Sequence, residues 1–420
     1  MEIATQRLRH QVQVFGRVQG VMHYVNADAL HEAYRRQKKG KAVGVDGVSK
    51  ESYGANLDEN ISNLLARMKR FQYKPKPVRR VYIKKDNGKL RPLGIPSFED
   101  RLVQGAMAEL LNAIYEPKFL DCSYGFRPGR SAHDAIRAIQ GTMYRGKCRW
   151  VLEADIKGFF DHVNHEYLME FLKQDIDDSD FLRYIKRFLR SGVMDKEQVY
   201  YTEEGTPQGG LISPVLANVY LHYVLDVWME KVVRPCMRGS IRYVRYADDF
   251  LILFEYKADA EKVMSVLGKR LGRFGLEVAV EKTRIIPFDK NKGTKDTFDF
   301  LGFTFYITKD RKGRNRPAVK TSKKKLKSKR RKMSEWLKSR MAKPIKETML
   351  MLRRKLAGHE GYYAVNGNLE AVKGFWYYTQ NRFFEVMNRR GTKHKLTWEK
   401  VMRKWKYFIP DPRIRVQIWC

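Results

Sequence analysis

The chain has 420 residues, and its 83 Lys and Arg against 47 Asp and Glu leave a formal net charge of +36. An excess that large would resist compaction unless a polyanion shared it, so nucleic acid is the expected partner. Hydrophobic residues at 43% and aromatics at 12% exclude a disordered chain, and the length allows about two or three domains.

No run of about 18 apolar residues is present, and Met1–His10 is too charged for a signal peptide, so no membrane is expected and a soluble, cytoplasmic, bacterial-type protein is. Cys122, Cys148, Cys236 and Cys420 are scattered without a C-x-x-C spacing, which argues against a disulfide scaffold and a structural zinc site. His162 and His165 lie close in sequence, but nothing nearby completes a ligand set.

Residues 1–40 carry Val21, Tyr24, Val25, Leu30, Ala33 and Tyr34 at helical spacing, which predicts one or two amphipathic helices. Gly40–Ser49 is a glycine-rich loop that lacks the Gly-Lys-Ser/Thr ending of a phosphate-binding loop. A helix over about 57–71 leads into the proline-punctuated Tyr73–Pro77. Val78–Ile83 and Leu90–Ile95 read as a hairpin turning at Asp86-Asn87-Gly88. Its cations, among them Lys85 and Arg91, suit either a charged sheet edge or a grip on phosphate.

Glu99–Tyr115 is a helix, followed by the loop Ser123–Arg130 and a second helix that Ser131 would cap. The arginines Arg127 and Arg130 in that loop, with two aromatics, suit a nucleic-acid contact. Trp150–Val163 is an apolar strand carrying Asp155, and a buried strand does not normally hold an unpaired carboxylate. Gly205–Pro214 opens a helix over about 215–232, its paired glycines allowing close backbone approach to a flat ligand.

Ile241–Phe254 is the stretch around which the chain is organised. Two strand-like runs flank Asp248 and Asp249, with the turn expected at Tyr246–Asp249. Adjacent carboxylates in an apolar hairpin repel and need a cation. If the Asp155 strand pairs beside this hairpin, three carboxylates could hold two divalent cations. Helix 259–274, a strand region over 276–287 and a strand pattern over 298–307 broken at Gly302 follow. From Lys309 to Lys346 cations dominate, including Lys323, Lys324, Lys325, Arg330 and Arg331. Aromatics interleave after them, which predicts a helical nucleic-acid-binding domain. Residues 398–420 read as a short docked tail.

The ordered set Lys85…Arg91-Pro92-Leu93-Gly94, Tyr124–Pro128, Ala154–His165, Gly205–Gly210, Tyr246–Asp249, Glu281-Lys282-Thr283 and Phe300–Phe303 resembles the group II intron-encoded reverse transcriptases, or maturases, over about 25–415. The resemblance implies an α+β right-hand polymerase. After an N-terminal helical extension (1–40), fingers and palm would cover 41–310 and a helical thumb 311–420.

It also implies a magnesium triad of Asp155, Asp248 and Asp249 with the Ile156 carbonyl, holding two Mg²⁺ that Mn²⁺ could replace. Lys85 and Arg91 would bind the triphosphate, Phe160 would exclude a ribose 2′-OH, Gln208 with Gly209 would flank the nucleotide, and Lys282 would contact the primer. The implied partners are dNTPs, an RNA template with a DNA primer or target, and the intron RNA. The sequence ends without the cysteine pairs of an HNH endonuclease, so second-strand cutting is not expected. An RNA-binding maturase without polymerase activity, an RNA-copying RNA polymerase, and a domesticated reverse transcriptase in defence or repair stay open.

Overall fold

The computed structural model describes residues 1–84, 88, 90–196, 198–201, 203–206, 209–389 and 396–419. In chain order its first elements are α1 (Glu2–Phe15), β1 (Val18–Gln19), α2 (Ala27–Arg36), α3 (Lys50–Gly54) and α4 (Leu57–Lys69). There follow β2 (Val78–Lys84), β3 (Leu90–Ile95), α5 (Phe98–Tyr115), α6 (Ala132–Arg145), β4 (Trp150–Ala154), α7 (His165–Asp175), β5 (Ile176–Asp177) and α8 (Ser179–Leu189). Next come β6 (Val193–Asp195), β7 (Gln198–Tyr200), α9 (Ser213–Leu221), β8 (Ile241–Tyr246), β9 (Asp249–Phe254) and α10 (Lys257–Gly272). The last are β10 (Arg284–Pro287), β11 (Phe298–Phe300), β12 (Phe303–Lys309), β13 (Asn315–Thr321), α11 (Lys323–Ser339), α12 (Ile345–Tyr363), α13 (Leu369–Met387) and α14 (Trp398–Phe408). The chain is thus α+β, with sheets flanked by helices.

The chain forms two compact units, one of 1–131, 154–252 and 258–284, the other of 132–153, 253–257 and 285–420. In the first, a sheet ordered β3-β2-β6-β7 combines the antiparallel hairpin with a parallel neighbour, Val78 opposite Val193. α5 is buried along most of its length, from Phe98 to Tyr115, and Ser97 caps it by accepting from the Asp100 N–H. Asn164 and Asp178 cap α7 and α8 in the same way. A two-residue parallel pairing of β1 with β5 joins Val18 to Ile176. In the second unit β11-β12-β13 form an antiparallel sheet, and α11 to α14 enclose a core around Leu337, Leu352, Phe375, Phe383 and Trp405.

Several expectations need correction. The Trp150 strand ends at Ala154, so Asp155 stands just past it, and Phe159–Asp161 is a single 3₁₀ turn. The helix expected over 215–232 is α-helical only to Leu221 and then widens into π turns at His222–Asp226 and Met229–Val233. Only Arg284–Pro287 is a strand in the 276–287 region. β13 lies inside the cationic stretch read as helical, its Pro317-Ala318-Val319 core buried among charges that hid the alternation. The last stretch is not merely a tail: Thr397 caps α14, which buries Val401 and Trp405. The hairpin turn at Asp86-Asn87 lies outside the described residues.

Candidate active site

β8 and β9 are neighbours in their sheet, and only Ala247 and Asp248 separate them. Ala247 takes a left-handed backbone, φ 57°. That conformation costs a residue with a Cβ about 1–2 kcal/mol, so its surroundings must hold it there. One support is Gly125: a Cβ there would stand 2.4 Å from the Ala247 nitrogen, so only glycine lets the 122–125 segment press against the turn. The other is Arg245, fully buried and ion-paired to Asp226 at 2.6 Å, which donates to the Ala247 carbonyl at 3.0 Å.

Past the turn Asp248 is half-buried and Asp249 exposed. Burial raises the Asp248 carboxyl above the ordinary aspartate range and the Asp155 charge adds to this. The Asp248 N–H, Arg91 and Arg245 pull the other way. Asp155 and Asp248 are therefore close enough to feel each other's charge, as is Arg91.

The Ala279 N–H bonds the Asp155 carbonyl at 2.8 Å and the Lys157 N–H bonds that of Glu277 at 2.9 Å, which leaves the Ile156 carbonyl out of this bridge. The Lys282 ammonium donates to Asp155 Oδ2. That bond raises the lysine above its ordinary value, helped by the charges of Asp155, Glu281 and Asp249 and opposed by burial. Among the described residues no three His, Cys, Asp or Glu side chains gather tightly enough to hold a metal ion. The donor chemistry nonetheless fits magnesium: the groups are hard carboxylate oxygens, one raised by burial and its neighbour's charge and one already drawing a cation.

Phe160 is nearly buried and meets Phe159 edge-on at 5.2 Å. It lines a cavity of about 350 Å³ with Arg80, Tyr82, Leu93, Gly94 and Thr206. The Thr206 N–H donates to the Phe160 carbonyl at 2.8 Å, and Gly205 (φ 89°) passes close enough that a Cβ would meet the Asp161 carbonyl at 3.0 Å. Gly209 (φ 119°) packs on β3, where a Cβ would stand 2.3 Å from the Gly94 carbonyl. Arg91 lies on β3 opposite Ile83. Lys85 and Gln208 lie outside the described residues.

The profile of the reverse transcriptase (RNA-dependent DNA polymerase) family matches residues 83–305, more than half of the chain. The chain belongs to the reverse transcriptase family. It is similar to the group II intron-encoded protein LtrA of Lactococcus lactis subsp. cremoris, 39% identical over 213 residues, half of this chain and 35% of LtrA. Protein YkfC of Escherichia coli (strain K12) is 35% identical over 303 residues, 65% of this chain and 78% of that protein. Nuclear intron maturase 2, mitochondrial, of Arabidopsis thaliana is 27% identical over 183 residues, 34% of this chain and 24% of that protein. These names set the chain among the group II intron reverse transcriptases and maturases.

One expected nucleic-acid contact is placed otherwise. Arg127 is buried: its guanidinium bonds Glu116 at 2.7 and 3.0 Å and the Leu120 and Ser123 carbonyls at 2.7 and 2.9 Å. It clamps the loop and cannot reach a phosphate. Arg130 pairs with Asp121 at 2.6 Å. In the other unit Lys323, Lys324 and Lys325 are exposed in the first turn of α11, which Ser322 caps. Arg330 stands 5.2 Å from the Tyr378 ring centre, and Arg331 approaches Glu335 at 3.9 Å.

Sequence reasoning passed over Arg245, Asp226 and the Lys282–Asp155 pair. The signal for Arg245 was available: an arginine inside an apolar strand must be paired or misplaced. No helix among the described residues is long and apolar enough to cross a membrane.

Proposed function

We propose that the chain is an RNA-directed DNA polymerase encoded by a group II intron, copying RNA into DNA and binding the intron RNA to assist splicing and mobility. The observation that carries this reading is that Asp155 and Asp248 stand within reach of each other's charge and of Arg91, at a turn held in a strained conformation. Asp155, Asp248, Asp249 and the Ile156 carbonyl would hold two Mg²⁺ or Mn²⁺, which supply charge stabilisation to the attacking and leaving oxygens. Arg91, with Lys85, neutralises triphosphate charge as pyrophosphate departs. Phe160 sits under the sugar and excludes a 2′-OH, and Gly209 lets the backbone approach the nucleotide. Lys282 passes from Asp155 to a primer phosphate once the carboxylates have another cation.

Within this reading fingers and palm run over 41–310 and the thumb over 311–420. The exposed first turn of α11 meets duplex and intron-RNA phosphates, with binding that weakens steeply as salt rises.

A second reading, an RNA-binding maturase without polymerase activity, is favoured by the Lys282–Asp155 pair, in which an ammonium occupies a carboxylate that a metal would need. Primer extension on an RNA template with Mg²⁺ separates the two, using wild type beside Asp248→Ala. Extension with dNTPs that disappears in the variant supports the polymerase. Tight RNA binding without extension from folded wild type supports the splicing protein.

A further inference from the structure

Arg245 stands one residue before the Tyr246–Asp249 run and takes no part in the reaction just proposed. All five of its N–H groups find acceptors. Nε and Nη2 grip the Asp226 carboxylate at 2.7 and 2.6 Å, and Nη2 also reaches Ser123 Oγ at 2.8 Å. Nη1 divides between Asn218 Oδ1 and the Ala247 carbonyl, each at 3.0 Å. That last bond has a chemical consequence, because the carbonyl belongs to the peptide whose nitrogen is Asp248's own. Turning this peptide turns the Asp248 carboxylate.

The same cluster holds the turn from its flank. Asn218 Nδ2 donates to the Gly125 carbonyl at 2.8 Å, and the Gly125 backbone presses on Ala247. The main chain of Arg245 is tied as well, its N–H to the Cys122 carbonyl at 2.7 Å and its carbonyl to the Tyr124 N–H at 2.9 Å. The π turn at His222–Asp226 is what brings Asp226 into reach. An uninterrupted α-helix would carry residue 226 about 80° around from Asn218, and the wider turn returns it toward that face.

We infer that Arg245 and Asp226 are positioning residues for nucleotidyl transfer: they clamp the peptide ahead of Asp248 and fix the direction in which its carboxylate meets a divalent cation. The inference rests on the polymerase reading. Stability alone does not call for such a pair, since a buried ion pair can often be replaced by apolar residues of similar volume without loss. Lysine cannot take over, because its three donors do not span a carboxylate, an amide, a hydroxyl and a carbonyl in one plane.

The test uses the full chain carrying Arg245→Met with Asp226→Leu, and separately Arg245→Lys. Four quantities are measured: thermal melting, affinity for an RNA–DNA primer-template, Mn²⁺ binding followed by the electron paramagnetic resonance of the free ion, and single-turnover dNTP addition. The double variant is expected to melt cooperatively and to keep its duplex affinity, while Mn²⁺ affinity falls about tenfold and kcat about 10- to 100-fold with little change in KM for dNTP. Arg245→Lys is expected to show the same pattern. Folded variants whose Mn²⁺ affinity and kcat match wild type would overturn the inference. If the double variant does not melt cooperatively, Arg245→Lys decides by the same criteria. Absence of extension in wild type overturns the polymerase reading instead, and Mn²⁺ binding then decides the clamp without reference to catalysis.

Discussion

Arg127 offers a direct contest between a structural and a nucleic-acid role, and Arg127→Ala decides it. The side chain of Arg127 is 2% exposed, against 25% for its partner Glu116. Removing it leaves the buried Ser123 carbonyl without its donor at 2.9 Å, while the Leu120 carbonyl loses one at 2.7 Å and keeps the Ser123 N–H at 3.2 Å. A buried acceptor so deprived costs about 1–3 kcal/mol. Glu116, a quarter exposed, can turn to water and adds less than a fully buried orphan would. The expected loss is therefore about 2–4 kcal/mol, a large share of the roughly 5–15 kcal/mol that holds a domain together. Urea denaturation followed by tryptophan fluorescence reads that loss. RNA binding is measured from 50 to 300 mM salt in parallel, where each phosphate contact contributes about 0.7–0.9 to the logarithmic slope. Arg127→Ala should lower stability and leave the slope alone. Stability held within about 1 kcal/mol together with a shallower slope would refute the structural assignment.

Other outcomes follow from the same structure. Asp100 is buried, accepts from the Tyr73 hydroxyl and from the Lys76 N–H at 3.0 Å, and burial raises its carboxyl from 3.8 to about 6. The folded state thus holds this proton more tightly than the unfolded chain. The stabilisation is complete below about pH 4 and disappears as pH rises through 6, about 3 kcal/mol in all. Asp100→Asn should remove that dependence, seen as a wild-type-minus-variant difference that changes between pH 4 and 7; a constant difference would contradict it. Phe160→Ala should raise NTP use relative to dNTP by at least about tenfold, and unchanged discrimination would reject the gate. Replacing Lys323, Lys324 and Lys325 with Gln should weaken RNA binding and flatten its salt slope by about 2–3, whereas an unaltered slope would make that turn a solvated face.

The β8–β9 hairpin, the antiparallel pairing of β2 with β3 and α5 were legible because their apolar periodicity is regular. The acids stood out because apolar runs framed them. Other features were hidden for physical reasons. The π turn at 222–226 answers to a tertiary partner, Arg245 bonded to Asp226, not to local propensity. β13 was masked by Asn315, Arg316 and Lys320, polar residues that are themselves partly buried beside a short apolar core. Arg127 read as a nucleic-acid contact because a sequence does not say which way a guanidinium points. Ion pairs across long separations, Lys282 with Asp155 or Arg245 with Asp226, are invisible until the chain is folded.

The small parallel ladder of β1 on β5 has a consequence for how the chain is made. Val18 pairs with Ile176, the Met22 N–H bonds Asp178 Oδ2 at 2.8 Å across 156 residues, and Lys118 Nζ bonds the Gly16 carbonyl at 2.5 Å. At about 5–20 residues per second, a ribosome needs roughly 8–30 s to synthesise the partner after the N-terminal strand emerges. For that interval the first strand has nothing to pair with, and β1 can take its place only after the segment that contains Phe160 and α7 exists. This strand therefore stays unpaired until β5 is made, so a pause in translation between the two lengthens the time that Val18 stands in water.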